Sequence, residues 1–402
     1  MRWFAGFIFY QIAFGLLSVM LPIYITQAVS GGNLTVWGIM AATATFLAIP
    51  FSFLWGYLCD TTQHYRFFIL MSFVAVTLLL YFFSLTTNLF ILGFLYTLIA
   101  IFEVAHEPPK NVLIAETYSH GEWKQGFARY EAWTELGWII GLLLGFLLAA
   151  LSLENSTILL ICTFLSLISF LISAIFVMDP ALIFERGLVS IEKSISMVQR
   201  GAMLLTKEDA DTRALEEFKL ENPSALCIGL VLFALATSIF FTPLPVFFAR
   251  KPLALPTSTI FILFILNSTS CFIGYLLTQG KANYLEGSGS IKKIVLLRSL
   301  LVLLPIFVIL PVNPFLGGIA LSITVLVAMG LVYAFYSVSV LSLSMEVIPQ
   351  GKAGLFTALV GAGSAIGCFT GTLIAENFGF QYTFIASSAC FLLSFVFFKK
   401  FE

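Results

Sequence analysis

Charge is what this chain is short of. Only 10% of its 402 residues are Asp, Glu, Lys or Arg, against roughly a quarter in soluble domains, and that excludes a string of ordinary water-soluble domains. The formal net charge of −1 points to no charged partner. No Gly-rich phosphate-loop signature occurs, which argues against direct ATP-driven pumping. Paired acids at metal spacing, an Asp-rich motif and a nucleophile with its base are missing too. A membrane-embedded enzyme acting on a lipid or prenyl substrate would lack its usual chemistry, and neither metal nor cofactor is expected. The six cysteines show neither metal-type nor framework spacing and read as small packing residues. No Ala-x-Ala cleavage pattern follows the apolar stretch from Phe4 to about Gln27. That stretch is too long for a signal-peptide core and reads as an uncleaved first span.

What the chain has in abundance is hydrophobicity: 60% of its residues are hydrophobic and its mean hydropathy is +1.02. Apolar stretches of about 20 residues recur, the length that crosses a bilayer core as a helix. They predict twelve spans, at 4–27, 36–59, 67–85, 89–115, 126–151, 156–178, 224–248, 257–279, 291–311, 314–343, 352–375 and 380–398. The predicted organisation is a six-helix bundle over 1–178, a cytoplasmic linker over 179–222 and a second six-helix bundle over 223–402. With both termini inside, the outer loops hold only Arg250 and Lys251 of the 20 basic residues, a strong positive-inside asymmetry. The inner set then includes Arg298, Lys292 and Lys293. A cell-membrane location, plasma or inner, with cytoplasmic termini follows. Leu188, Ile191, Ile195 and Val198 recur at helical spacing in the linker, which can be an amphipathic surface helix or a solvated tether. Its mixed charges suggest no nucleic-acid or head-group role.

The two halves echo each other. Leu21-Pro22-Ile23-Tyr24 is matched by Leu244-Pro245-Val246-Phe247, an offset of 245 − 22 = 223. Gly56-Tyr57-Leu58 is matched by Gly274-Tyr275-Leu276, an offset of 274 − 56 = 218. Glu116 with Gly137 and Gly141 is matched by Glu346 with Gly367 and Gly371, an offset of 346 − 116 = 230. Three echoes in one order argue for a parallel repeat of six spans, an arrangement that places a site at the midplane between halves.

The loop after span 2 reads Gly56-Tyr57-Leu58-Cys59-Asp60-Thr61-Thr62-Gln63-His64-Tyr65-Arg66. It resembles the G-x-L-x-D-R-x-G-R-R/K signature of the major facilitator superfamily of secondary transporters. Gly56, Leu58 and Asp60 match; the Arg after the acid, the second Gly and the first closing Arg are missing, and Arg66 keeps one positive charge. The resemblance implies an all-α membrane protein of twelve helices in two six-helix pseudo-repeats. It also implies that Asp60 engages the start of span 11 and holds one conformation, as a carboxylate can at a helix N-terminus. Pro108 followed by Glu116 is similar to the family's span-4 pattern, whose usual Arg falls here at Tyr96 and whose Gly falls at Ala100. Losing that Arg removes the standard proton-coupling group. Gly361, Gly363, Gly367 and Gly371 of span 11 resemble the small-residue faces on which family helices pack.

One polar stripe stands out. Glu103, His106, Glu107 and Lys110 follow each other at i, i+3, i+4 and i+7 beyond the apolar run from Leu89 to Phe102. Intramembrane ionisable groups are costly, so a cluster of them marks function by default. Glu103 is the leading candidate for proton coupling or for lining a cavity, with Glu107 and His106 beside it and Lys110 near enough to the interface to snorkel. A self-neutralising stripe is the plainer alternative. Pro108-Pro109 should bend the helix below the stripe, and Thr242-Pro243 with Pro245 should kink span 7. Glu131 and Glu135 form a second acid pair in span 5, with Glu135 the deeper. Gln11, Asn267, Tyr333 and Tyr336 could hydrogen-bond a substrate or a neighbouring helix.

The function expected is secondary transport of a small molecule by alternating access, by a single chain, with a coupling proton. More acidic than basic candidates in the membrane favour export of a neutral or cationic compound, because an anion carrier should have cavity arginines. Uptake of a nutrient or metabolite is the alternative, and an enzyme or a non-transporting sensor using the linker as output is less favoured.

Overall fold

A computed structural model describes residues 3–119, 122–179, 223–251, 253–279, 289–309, 316–347 and 355–401. Every regular element among them is helical. Among the described residues, eleven helices are long and apolar enough to cross a membrane. Spans 1 to 3 are Phe4–Gln27, Leu34–Thr62 and Tyr65–Ser84; spans 5 and 6 are Trp123–Ala150 and Asn155–Phe176. Spans 8, 10, 11 and 12 are Thr257–Gln279, Leu316–Val347, Leu355–Asn377 and Phe380–Phe401.

Prolines interrupt the other three. Span 4 runs as Leu89–Glu103, a 3-10 turn Val104–His106, and Glu107–Thr117. Pro108 and Pro109 have no N–H to offer the carbonyls of Val104 and Ala105, so the ladder tightens one turn before the prolines. The break in the α-helical ladder therefore falls within the polar stripe. Span 7 breaks at Thr242-Pro243 into Pro223–Phe241 and Leu244–Ala249. Span 9, predicted as one helix, is Gly289–Leu303 followed by Ile306–Ile309, with Pro305 at the break. Span 9 is the predicted span that is not among the eleven.

Spans 1 to 6 pack on one another: 1 lies against 5 and 6, 3 against 4 and 6, and 2 against 4. Spans 7 to 12 repeat this scheme, with 7 against 11 and 12, 9 against 10 and 12, and 8 against 10. Spans 2 and 11, and spans 5 and 8, join the two sets.

The repeat is visible atom by atom. A Cβ on Gly137 or Gly141 of span 5 would lie 2.5 or 2.1 Å from the carbonyl oxygens of Ile8 or Ile12 in span 1. On Gly367 or Gly371 of span 11 it would lie 2.5 or 2.7 Å from those of Leu235 or Ile239 in span 7. Backbone contact is what these glycines allow, and it is the close packing expected of small residues where lipid supplies no hydrophobic drive between helices. A second pair follows the same symmetry. Ser169 donates to the Gly6 carbonyl at 2.8 Å, and Ser394 donates to the Gly229 carbonyl at 2.8 Å.

Candidate functional site

A cavity of about 520 Å³ lies between the two sets, walled by spans 1, 2, 4 and 5 on one side and 7 to 11 on the other. Gln11, Glu135, Asn267 and Tyr333 line it, as does Glu131 one helical turn before Glu135. Ser268 of span 8 also lines the cavity and lies near Glu135, so the acid faces the opposite half. Trp37, Trp138, Phe241 and Phe264 make much of the wall apolar. Apolar walls with a few convergent polar groups are typical of small-molecule sites.

Arg298 also lines this cavity. The charge count assigned it to the inner loops, but it is 0% exposed, on span 9. Four rings surround its guanidinium: Phe233 at 5.0 Å, Tyr333 at 5.2 Å, Phe391 at 5.3 Å and Phe241 at 5.9 Å. Its Nε and Nη1 are buried with no hydrogen-bond partner among the described residues. Sequence reasoning missed it although a signal was there. Arg298 is 298 − 291 = 7 residues, about 10 Å, inside the predicted ninth span, too deep for a loop residue. Three more residues that line the cavity share its condition: Trp37 Nε1, Thr237 Oγ1 and Asn267 Oδ1 are buried without partners among the described residues. Of these, only Asn267 was expected.

The stripe of span 4 lies elsewhere. None of Glu103, His106 and Glu107 lines the large cavity. Glu103 lines an apolar pocket of about 280 Å³ walled by spans 1 to 6. This pocket shares Ser18, Pro22, Trp37, Tyr96 and Trp138 with the cavity, so the two adjoin. Tyr96, standing where the family's Arg would be, faces both.

His106 is buried in an aromatic nest, its ring 5.1 Å from Tyr10, 5.5 Å from Phe73 and 5.6 Å from Phe7. Its Nδ1 lies 3.1 Å from the Ser72 hydroxyl, and its Nε2 lies 3.5 Å from Glu107 Oε1. Lys110 donates to Glu107 Oε2 at 2.5 Å and sits over the Tyr130 ring at 5.3 Å. Buried at 6% exposure, Lys110 does not snorkel to the interface. The ring of Phe233 blocks Tyr336, stacking on it at 3.5 Å, and Tyr336 does not line the cavity.

At the signature, Gly56 is buried in span 2, and Leu58 and Asp60 are half-buried in its last turns. Arg66 donates from Nη2 to the Ala174 carbonyl at 2.7 Å, and its backbone N–H donates to Asp179 Oδ1 at 2.7 Å. A cation at the C-terminal end of span 6 suits the helix dipole, and it ties span 3 to span 6. The start of span 11 expected to receive Asp60, residues 351–354, lies outside the described residues, as do the 188–198 segment and the side chain of Glu346.

Two solved structures are similar over nearly the whole chain. The human organic anion transporter MFSD10 (TETRAN) matches with a TM-score of 0.65 and 17% identity, covering 99% of this chain and 98% of that one. The nucleoside transporter NupG matches with a TM-score of 0.66 and 13% identity, covering 100% and 98%. At such identities the likeness shows the fold alone. No curated protein matches the sequence. The family model described as Major Facilitator Superfamily matches residues 3–372, and the chain belongs to that family.

Proposed function

We propose that this secondary transporter moves a small solute by alternating access, with the cavity of about 520 Å³ as its site. The bundles 1–178 and 223–402 would rock about that site, joined by the 179–222 linker. One observation carries the reading: ionisable groups from both sets of spans, Glu131, Glu135 and Arg298, face a single space inside an apolar protein. Such groups are too costly in a membrane interior to be kept without use.

Proton coupling is supported by Glu135 and Glu131 in the cavity wall and by Glu103 in the adjoining pocket. Glu135 is the first of these, because Ser268 of the opposite half lies near it. His106 and Glu107 have local partners and act as positioning groups. Export is the direction we favour, since Trp37, Trp138, Phe241 and Phe264 suit a solute with an apolar body. The expectation of a neutral or cationic solute assumed a cavity without arginine, and Arg298 withdraws that premise. Cytoplasmic termini in a plasma or inner membrane rest on the charge asymmetry, and a single chain is taken as the working unit.

The test uses proteoliposomes with an imposed pH gradient and three aromatic probes: benzyltrimethylammonium, benzenesulfonamide and benzenesulfonate. Gradient-dependent movement of at least one above protein-free vesicles is expected, with loss in Glu135→Gln. Movement that ignores the gradient in the wild type would overturn the coupling; movement of none would overturn transport of this class of solute. If Glu103→Gln loses coupling and Glu135→Gln keeps it, the adjoining pocket is the coupling site.

A further inference from the structure

We propose that Arg298 is the recognition group for an oxyanion on the transported solute, so that the cavity accepts compounds with an anionic head and an apolar or aromatic body. This rests on the cavity being the transport site and adds the chemical class of its occupant.

A guanidinium cannot shed its charge at any physiological pH, and burying an unpaired charge costs several kcal/mol. Buried arginines therefore meet an acid. Arg298 does not: among the described residues it forms no ion pair and no hydrogen bond, and its Nε and Nη1 are sealed from solvent. Phe233, Phe241, Tyr333 and Phe391 hold it by their ring faces instead. Cation–π contact offsets only part of that cost and satisfies no N–H. Rings also fix the guanidinium in position without taking up its donors.

The orientation matters as much as the deficit. Carboxylates are present in the same cavity, on Glu131 and Glu135 of span 5, yet neither reaches Arg298. A protein that used Arg298 only for packing would place an acid beside it or replace it with an apolar residue. In the same cavity, Asn267 and Thr237 also carry buried atoms with no partner among the described residues. The guanidinium N–H groups and the Thr237 hydroxyl can donate to an oxyanion, while Asn267 Oδ1 is an acceptor that a donor elsewhere on the solute would satisfy. At about 520 Å³ the cavity takes a one-ring or two-ring body beside that head.

Benzenesulfonate and benzenesulfonamide test this cleanly, being close in shape and different in charge. Trp37 and Trp138 line the cavity, so quenching of intrinsic fluorescence reports occupancy of the purified wild type in detergent. Saturable binding of the sulfonate at least 10-fold tighter than the sulfonamide is expected. Arg298→Gln should remove that preference, and Arg298→Lys should keep part of it. Thermal stabilisation of the wild type by sulfonate over sulfonamide gives a second readout that does not depend on the variants folding. Equal binding of the two probes, tighter binding of benzyltrimethylammonium, no saturable sulfonate binding, or an unchanged preference in a folded Arg298→Gln would each overturn the proposal. The transport reading fails separately: sulfonate bound but never moved leaves Arg298 as an anion site, whereas proton-driven movement of the ammonium probe with no sulfonate binding keeps transport and removes the anion site.

Discussion

Two polar clusters inside the membrane differ in how well their groups are satisfied. In span 4, Lys110 neutralises Glu107, and His106 has Ser72 and a nest of rings. In the central cavity, Arg298, Asn267, Thr237 and Trp37 all keep buried atoms without partners among the described residues. Apart from Glu103, which lines the smaller pocket, and the unpartnered Tyr10 Oη and Asn111 Oδ1, the span-4 groups pair among themselves, while the cavity residues include a guanidinium whose Nε and Nη1 have no partner among the described residues. Polar groups that a fold can satisfy alone belong to its stability, while those it leaves unsatisfied in a cavity await something else.

That contrast can be broken by substitution, beginning with the largest effect. Lys110→Met should cost about 2 kcal/mol in unfolding free energy, below the usual 3–5 for breaking a buried pair because the Glu107 side chain is 31% exposed. Adding Glu107→Gln should restore much of the loss. A Lys110→Met protein that melts normally and has lost transport would place the stripe with the functional cluster. Glu135→Gln should show the opposite pattern, with pH-driven transport down roughly tenfold, about 1.4 kcal/mol at the rate-limiting step, and a nearly unchanged melting temperature. His106→Phe should lose about 1 kcal/mol, the worth of one hydrogen bond, and keep its coupling. Proton coupling lost in a stable His106→Phe protein would contradict the division. Smallest of all is Thr237→Val, which removes an unpartnered hydroxyl. Its stability should stay within about 0.5 kcal/mol, while sulfonate binding weakens a few-fold; a large destabilisation would show that the hydroxyl already has a structural job.

Much of the fold was legible because a bilayer imposes few solutions. Length and apolarity located the spans, Thr242-Pro243 and Pro108-Pro109 marked two breaks, and Gly137/Gly141 with Gly367/Gly371 exposed the repeat. The third break, at Pro305, was missed because the apolar run continues through it to residue 310. The site was less legible. Gln11, Glu135, Asn267 and Tyr333 were found as polar residues at membrane depth, but Glu103 was given the central place although it lines the smaller pocket and Glu135 the large cavity. Helical spacing groups residues on one face of one helix, and it says nothing about which neighbour that face meets. Arg298 was lost for a related reason: counting charges by loop treats every basic residue near a span end as a topology signal.

Sequence alone determined that this chain crosses the membrane many times in two related sets of six, because hydrocarbon demands a backbone satisfied internally and apolar runs of about 20 residues meet that demand as helices. Only the tertiary structure decided which ionisable groups are spent on one another and which face a common space. Glu107 and Lys110 are neighbours on one helix, so their pairing could be guessed. Glu131 and Glu135 on span 5 and Arg298 on span 9 come to one cavity through the packing of helices far apart in the chain, and no local pattern records that meeting.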